Sequence, residues 1–230
     1  MRGAVLFVLA SCSVFADTAA LFNGRNLDGF YTFTQRHGVN RDPERIFRVE
    51  NGMIHVSGAD YGYFVTEKEY GDYYLRVEFR WGEKTWPPRE GKARDSGILF
   101  HASGPEKIWP TSIEFQMIEG GTGDIILVGG TGLEVKGQYR EKGRFDRFGK
   151  GPWQDLAGYR DPAGEPERPL GEWNLLELWA EGDSVRYHVN GKLVNEGRRA
   201  SVTRGKILFQ SEGAELFFRM IELRPRGRVR

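Results

Sequence analysis

One cysteine, no run of apolar residues long enough to cross a membrane, and no excess of either charge are the first features of this 230-residue chain. A single thiol, Cys12, excludes a disulfide within the chain and any cysteine-rich zinc site. Lys and Arg number 33 against 32 Asp and Glu, for a formal net charge of +1. A chain so balanced has no electrostatic footprint for nucleic acid. Only the end of the chain is locally basic, and residues 225–230 read as a solvated tail. The four histidines, His37, His55, His101 and His188, form no His-x-x-x-His pair. No Gly-x-Ser-x-Gly elbow offers a nucleophile. Gly120-Gly121-Thr122-Gly123 and Gly129-Gly130-Thr131-Gly132 lack the Lys-Ser/Thr ending of a phosphate-binding loop, and no helical segment follows them. They are expected to be turns flanking a strand.

The N-terminal apolar stretch, GAVLFVLASCSVFA after Arg2, reads as an export signal over residues 1–16. Val14-Phe15-Ala16 has the form of a signal cleavage site, and Leu9-Ala10-Ser11-Cys12 has the form of a lipobox that would leave Cys12 lipidated. The expectation is an exported protein, either a periplasmic or cell-envelope lipoprotein or a secreted one. Its only membrane contact would be that anchor.

Helical periodicity is missing over any long window; period-two alternation recurs instead. From Tyr73 to Trp81, Tyr73, Leu75, Val77, Phe79 and Trp81 alternate with Tyr74, Arg76, Glu78 and Arg80. Asn51-Gly52 and Asn190-Gly191 mark two hairpins, because a type I′ turn needs positive φ at both central residues. Further strands are expected near 62–66, 97–102, 111–118, 124–129, 173–180, 205–211 and 215–224. About ten short strands predict an all-β domain over 21–224: two antiparallel sheets packed as a jelly-roll sandwich. The stretches 82–96 and 137–171 resist strand assignment and are read as long loops walling one sheet face.

The chemistry is sought among residues that point away from the apolar faces. In 111–118, Ile113, Phe115 and Met117 face one way and Glu114 and Gln116 the other. His101, Arg76 and Glu78 leave their apolar faces in the same manner. Asp95, Trp109 and Asp124 adjoin them in sequence. If these faces belong to one sheet, they form a polar hollow of acids, bases and hydrogen-bond donors. Trp86, Trp109 and Trp153 fall in loops, where an indole can stack on a sugar ring. For any single position a solvent-facing strand residue is the plainer reading. No cofactor is predicted; a metal site assembled in space from His101, Glu114 and Asp124 is an arrangement the residue types permit and no sequence motif supports.

Six segments in order then resemble one family, the 3-keto-disaccharide hydrolases. Leu21-Phe22-Asn23-Gly24-Arg25-Asn26-Leu27-Asp28-Gly29-Phe30 is similar to its opening motif, Asp95-Ser96-Gly97-Ile98 to its N-S-G-[IV] strand, and Glu114-Phe115-Gln116 to its E-x-Q strand. Gly171-Glu172-Trp173-Asn174 with Val189-Asn190-Gly191 resembles its GEWN…NG segment. Gly205 to Gln210 resembles its G-x-I-x-x-Q strand, and Phe218-Arg219-Met220-Ile221 its ending. Asp95 stands where that pattern has Asn, Phe30 where it has Trp, and Met220 where it has Asn.

The resemblance implies a concanavalin A-like jelly roll and cleavage of glycosides oxidised to a ketone at C3. There the ketone acidifies the C2 proton, the C1 substituent leaves by β-elimination, and water adds back. On this reading His101 and Glu114 transfer protons. Arg76, Glu78, Asp95, Trp109, Gln116 and Asp124 bind the carbohydrate, with Gln116 and Arg76 placed to hydrogen-bond the enolate. The rivals are a non-catalytic carbohydrate-binding module, a hydrolase of unmodified glycans, and a surface adhesion or scaffold protein.

Overall fold

The computed structural model describes residues 18–226; the expected export signal, its Cys12 and the last four residues of the basic tail lie outside the described residues. Alternation of apolar and polar side chains makes nearly every element a strand, since a pleated strand sends successive side chains to opposite faces. The first sheet contains β4 (Phe47–Glu50), β5 (Met53–Val56), β7 (Tyr73–Thr85), β14 (Asn174–Glu181), β15 (Ser184–Val189), β16 (Lys192–Gly197) and β18 (Ala214–Pro225). Their order is β16-β15-β14-β7-β18-β5-β4, and β1 (Ala19–Ala20) lies against β18. The second sheet contains β2 (Phe30–Thr34), β3 (Gly38–Val39), β6 (Gly62–Thr66), β8 (Asp95–Ser103), β9 (Thr111–Ile118), β10 (Ile125–Val128), β13 (Gly143–Phe145) and β17 (Lys206–Ser211). Their order is β13-β10-β9-β8-β17-β6-β2-β3. A separate ribbon pairs β11 (Leu133–Val135) with β12 (Gln138–Arg140). All pairings in the two sheets are antiparallel. This is the two-sheet jelly-roll sandwich expected above.

The core lies between the sheets. Leu75, Val77, Phe79 and Trp81 of β7 enter it from one side, and Ile113, Phe115 and Met117 of β9 from the other. Aromatic pairs fill the middle: Phe64 stacks on Phe209 at 4.7 Å, and Phe115 lies flat on Tyr187 at 4.1 Å. Both expected hairpin turns have their positive φ, 50° and 73° at Asn51-Gly52 and 51° and 80° at Asn190-Gly191.

Two readings of the loops need correction. Residues 82–85 continue β7 and residues 95–96 open β8, and the stretch 137–171 contains β12 and β13, the latter extending the edge of the second sheet beyond β10. The rest of that stretch is irregular yet fixed by buried charge. Arg147 is 2% exposed and pairs with Glu165 at 2.9 Å and Asp161 at 3.2 Å. Glu167 is buried and accepts hydrogen bonds from Trp81 Nε1 at 2.7 Å and from the Thr122 hydroxyl. Burial pushes the Glu167 carboxyl up to about 8, against those two hydrogen bonds, so it is a protonated acid at neutral pH.

Candidate functional site

The strands β9, β8 and β17 sit side by side in the second sheet and turn one face away from the core. Period-two geometry puts Glu114 and Gln116 of β9, Asp95 and Gly97 of β8, and Gln210 of β17 on that face. Gly97 makes the cluster feasible. A Cβ there would lie 2.2 Å from Glu114 Oε1 and 2.5 Å from Gln210 Oε1, so its absence lets side chains from both flanking strands lean over β8. Gln116 Nε2 donates to Asp95 Oδ1 at 3.0 Å, and the Gln210 side chain hydrogen-bonds to Glu114. Glu212, in the turn after β17, is electrostatically coupled to both acids.

These groups are not solvated strand residues. Glu114 is 6% exposed, Gln116 7%, Asp95 8% and Gln210 2%. Two loops wall them in. Arg89, on the loop after β7, pairs with Asp155 at 2.7 Å and approaches Asp95 at 3.8 Å, and Ala157 N–H donates to the Gly91 carbonyl. On the same outward face, Tyr63, Val65, Leu99 and Leu208 form an apolar patch packed against Tyr31, Phe33 and Trp109. Glu106, on the loop between β8 and β9, accepts hydrogen bonds from the Tyr31 and Tyr63 hydroxyls and pins that loop over the patch. The face is therefore roofed at one end and carries acids at the other.

Burial and mutual repulsion set the protonation of the acids. Glu114 is pushed up to about 8, first by burial and then by the charge of Asp95, against Arg144 and the Gln210 hydrogen bond. Asp95 is pushed up to about 7 by burial, opposed by Arg89 and Arg144. Glu212 is raised well above the carboxylate range by burial and by both neighbours, with Arg89 opposing. Three carboxyls with two arginines at hand hold fewer than three negative charges at neutral pH. Such a cluster both accepts and donates protons there.

The structure gathers some of the sequence-predicted residues here and sends others elsewhere. Glu114, Gln116 and Asp95 share the patch. Trp109 stands at the edge of the roofed end, with its ring 6.2 Å from Tyr61. His101 does not face the hollow, which corrects the expectation. It occupies a bulge in β8 with φ of 53°, which turns its ring to the core side. There it lies edge-on to Tyr73 and Phe100, with Nδ1 3.2 Å from the Val202 carbonyl and Nε2 3.3 Å from the Gly71 carbonyl. Burial lowers its pKa.

Arg76 and Glu78 belong to β7 in the other sheet, so the assumption that all these faces share one sheet is also corrected. Arg76 pairs with Glu222 at 3.1 Å and Glu78 with Arg219. Asp124 is fully buried beside the site in a structural knot. Lys150 Nζ donates to it at 2.7 Å, and Arg144 Nε and the Arg147 N–H each donate at 2.6 Å. His101, Glu114 and Asp124 thus have separate surroundings. Among the described residues no group of three or more His, Cys, Asp or Glu side chains is arranged to hold a metal ion.

Trp153 turns its Nε1 to the Glu119 carbonyl at 3.0 Å and its ring to Arg144 and Lys150. Trp86 is 39% exposed. Sequence reasoning missed Gln210, Glu212, Arg89 and Arg144. Gln210 was within reach, since it alternates with Ile207 and Phe209 as Gln116 does with Phe115 and Met117. The other three come from turns and loop strands that carry no periodic signal.

Comparison with known proteins agrees with this architecture. A candidate glycosyl hydrolase from Parabacteroides distasonis superposes with a TM-score of 0.61 at 20% identity, over 91% of this chain and 94% of that one. The carbohydrate-binding module CBM66 from Bacillus subtilis gives 0.54 at 10% identity, covering 85% and 95% of the two chains. The Bacillus licheniformis beta-glucanase gives 0.52 at 10% identity, covering 94% and 100%. At such identities the likeness is one of fold, the concanavalin A-like jelly roll. No curated protein matches the chain. The family assignment comes from a match over residues 17–224: the chain belongs to the 3-keto-alpha-glucoside-1,2-lyase-like domain family, a family of carbohydrate-active enzymes.

Proposed function

We propose that the protein cleaves 3-keto-glycosides by elimination followed by hydration. The observation that carries this reading is the patch of Asp95, Glu114 and Glu212 beside Arg89 and Arg144: burial pushes Asp95 up to about 7 and Glu114 up to about 8, and raises Glu212 well above the ordinary carboxylate range. A C3 ketone acidifies the proton on C2. Asp95 takes that proton, and the C2–H electron pair moves into an enolate whose oxygen develops charge near the arginines. The enolate collapses to a C1–C2 double bond as the C1–O bond breaks, and Glu114 protonates the departing oxygen. In the second half Glu114, now ionised, takes a proton from water as its oxygen bonds to C1. Asp95, whose acquired proton has exchanged with solvent once the leaving group departs, returns a proton to C2, which restores both acids.

The test is aglycone release from a 3-keto-glucoside in D2O. The expected product carries solvent deuterium at C2, and both Asp95→Asn and Glu114→Gln lose turnover. Release with the original C2 hydrogen retained would discard the elimination route.

A second reading, hydrolysis of unmodified glycans, gains support from one observation. Gln116 occupies the place beside Glu114 where a second acid is convenient, but Asp95 lies 3.0 Å from Gln116 and supplies one. Release from the unoxidised disaccharide would select this reading, and sugar binding without any release would select a binding module. On the proposed reading the enzyme works outside the cytoplasm, with a mature N-terminus after Ala16 or at a lipidated Cys12. Mass spectrometry of the mature protein distinguishes the two.

A further inference from the structure

The reactive carboxyls are flanked by two glutamines whose arrangement is almost symmetric. Gln116 donates its amide N–H to Asp95 at 3.0 Å, and Gln210 hydrogen-bonds to Glu114. Each amide is thus oriented by the carboxyl it serves, and each leaves its Oε1 buried without a hydrogen-bond partner. The side chains are 7% and 2% exposed, so neither oxygen is compensated by bulk water. Buried acceptors without partners are uncommon in folded proteins, because the group has lost its water and gained nothing. Two of them side by side, both over the acid patch, mark a place where a ligand supplies the donors.

The chemistry of that ligand follows from what the two oxygens accept. An amide carbonyl accepts from O–H or N–H and repels carboxylate and phosphate oxygens. The surrounding acids Asp95, Glu114 and Glu212 disfavour an anion further. Gly97 between the two glutamines has no side chain of its own, so Glu114 Oε1 and Gln210 Oε1 both lie over it and the acid and the amide oxygen are brought to one spot on the sheet. We propose that Gln116 and Gln210 form the specificity-determining subsite of this enzyme, their Oε1 atoms receiving two hydroxyl groups of the keto sugar ring itself. The assignment rests on the 3-keto-glycoside reading of the site. It adds that recognition is of the oxidised ring's own hydroxyls and not of the leaving group.

The test separates the two claims by measuring binding without cleavage. The probe is 1,5-anhydro-3-ketoglucitol, which has no C1 substituent to expel, together with its 2-, 4- and 6-deoxy analogues, titrated calorimetrically into the wild-type protein. Two of the three deoxy analogues are expected to bind about 10- to 100-fold more weakly than the parent, the range that follows from leaving a buried acceptor unpaired. Gln116→Ala and Gln210→Ala should each make the protein indifferent to one of those two deletions, with Tm recorded to confirm folding. If fewer than two deoxy analogues lose affinity while keto-glycosides are still turned over, the subsite is overturned and the reaction stands. If neither binding nor turnover of any keto sugar is seen, both are overturned.

Discussion

Glu114→Gln is expected to stabilise the protein at neutral pH while removing its activity. In the folded protein this carboxyl titrates at about 8 instead of 4.5, chiefly through burial and secondarily through Asp95. The sign follows from linkage. Below pH 4.5 both folded and unfolded chains hold the proton, and the contribution of the protonated group to stability is complete. Between 4.5 and 8 the unfolded chain releases the proton while the folded chain keeps it, so stability falls as pH rises. The loss is complete once the folded group ionises. At about 1.36 kcal/mol per pH unit, roughly 3 kcal/mol is lost by pH 7 and roughly 5 kcal/mol by pH 8. Glutamine keeps the shape of the protonated acid and cannot ionise, so it escapes that loss.

Urea denaturation of both proteins at pH 5, 6, 7 and 8 measures the difference directly. It should grow from less than about 1 kcal/mol at pH 5 to roughly 3 kcal/mol at pH 7. In thermal melts the pH 7 difference is about 6–12 °C for a domain of this size. A variant equally or less stable than wild type at every pH would refute the reasoning, because Glu114 would then fold as an ordinary ionised carboxylate.

Three other substitutions probe the arrangement. Gly97→Ala places a methyl group 2.2 Å from Glu114 Oε1 and should lower kcat/KM by about 100-fold, the scale of an ångström-sized misplacement, while circular dichroism stays native. His101→Leu should leave kcat nearly unchanged but cost about 1–3 kcal/mol in urea denaturation, because it removes the one N–H that the neutral ring donates to the Val202 or the Gly71 carbonyl. Loss of turnover in a folded His101→Leu protein would return that residue to the chemistry. Arg147→Met leaves Glu165 and Asp161 buried without their cation and should cost about 3–5 kcal/mol. Limited proteolysis should then cut first within residues 150–165, and an unchanged digestion pattern would count against the loop being held by charge.

What alternation encodes was legible, and what loops deliver was not. The buried face of β7 and the opposed faces of β9 could be read residue by residue, because a strand has only two sides and burial selects one. Glu114 and Gln116 were placed on the outward side for that reason. Their burial was not legible. It depends on the loop carrying Arg89 and the segment carrying Asp155 closing over the sheet through contacts distant in sequence. Two errors share one cause, since alternation gives the side of a strand but not which sheet it joins. Arg76 and Glu78 point outward as expected, from the other sheet. His101 failed differently: a bulge at β8 shifts the register and reverses the side that counting assigns.

The position of β18 has a consequence for how the chain acquires its shape. That strand is an interior member of the first sheet, flanked by β7 and β5, and Arg76 reaches Glu222 across 146 residues of sequence. Until residues 214–225 emerge, β7 and β5 have no common neighbour, so the first sheet stands in two pieces, β16-β15-β14-β7 and β5-β4, and the second sheet has no complete partner to pack against. Assembly is therefore dominated by long-range loop closure. Such topologies fold slowly and expose unpaired edges while they wait. Nascent chains stalled short of residue 214 should accordingly be protease-sensitive throughout, with no half-molecule standing as a stable intermediate.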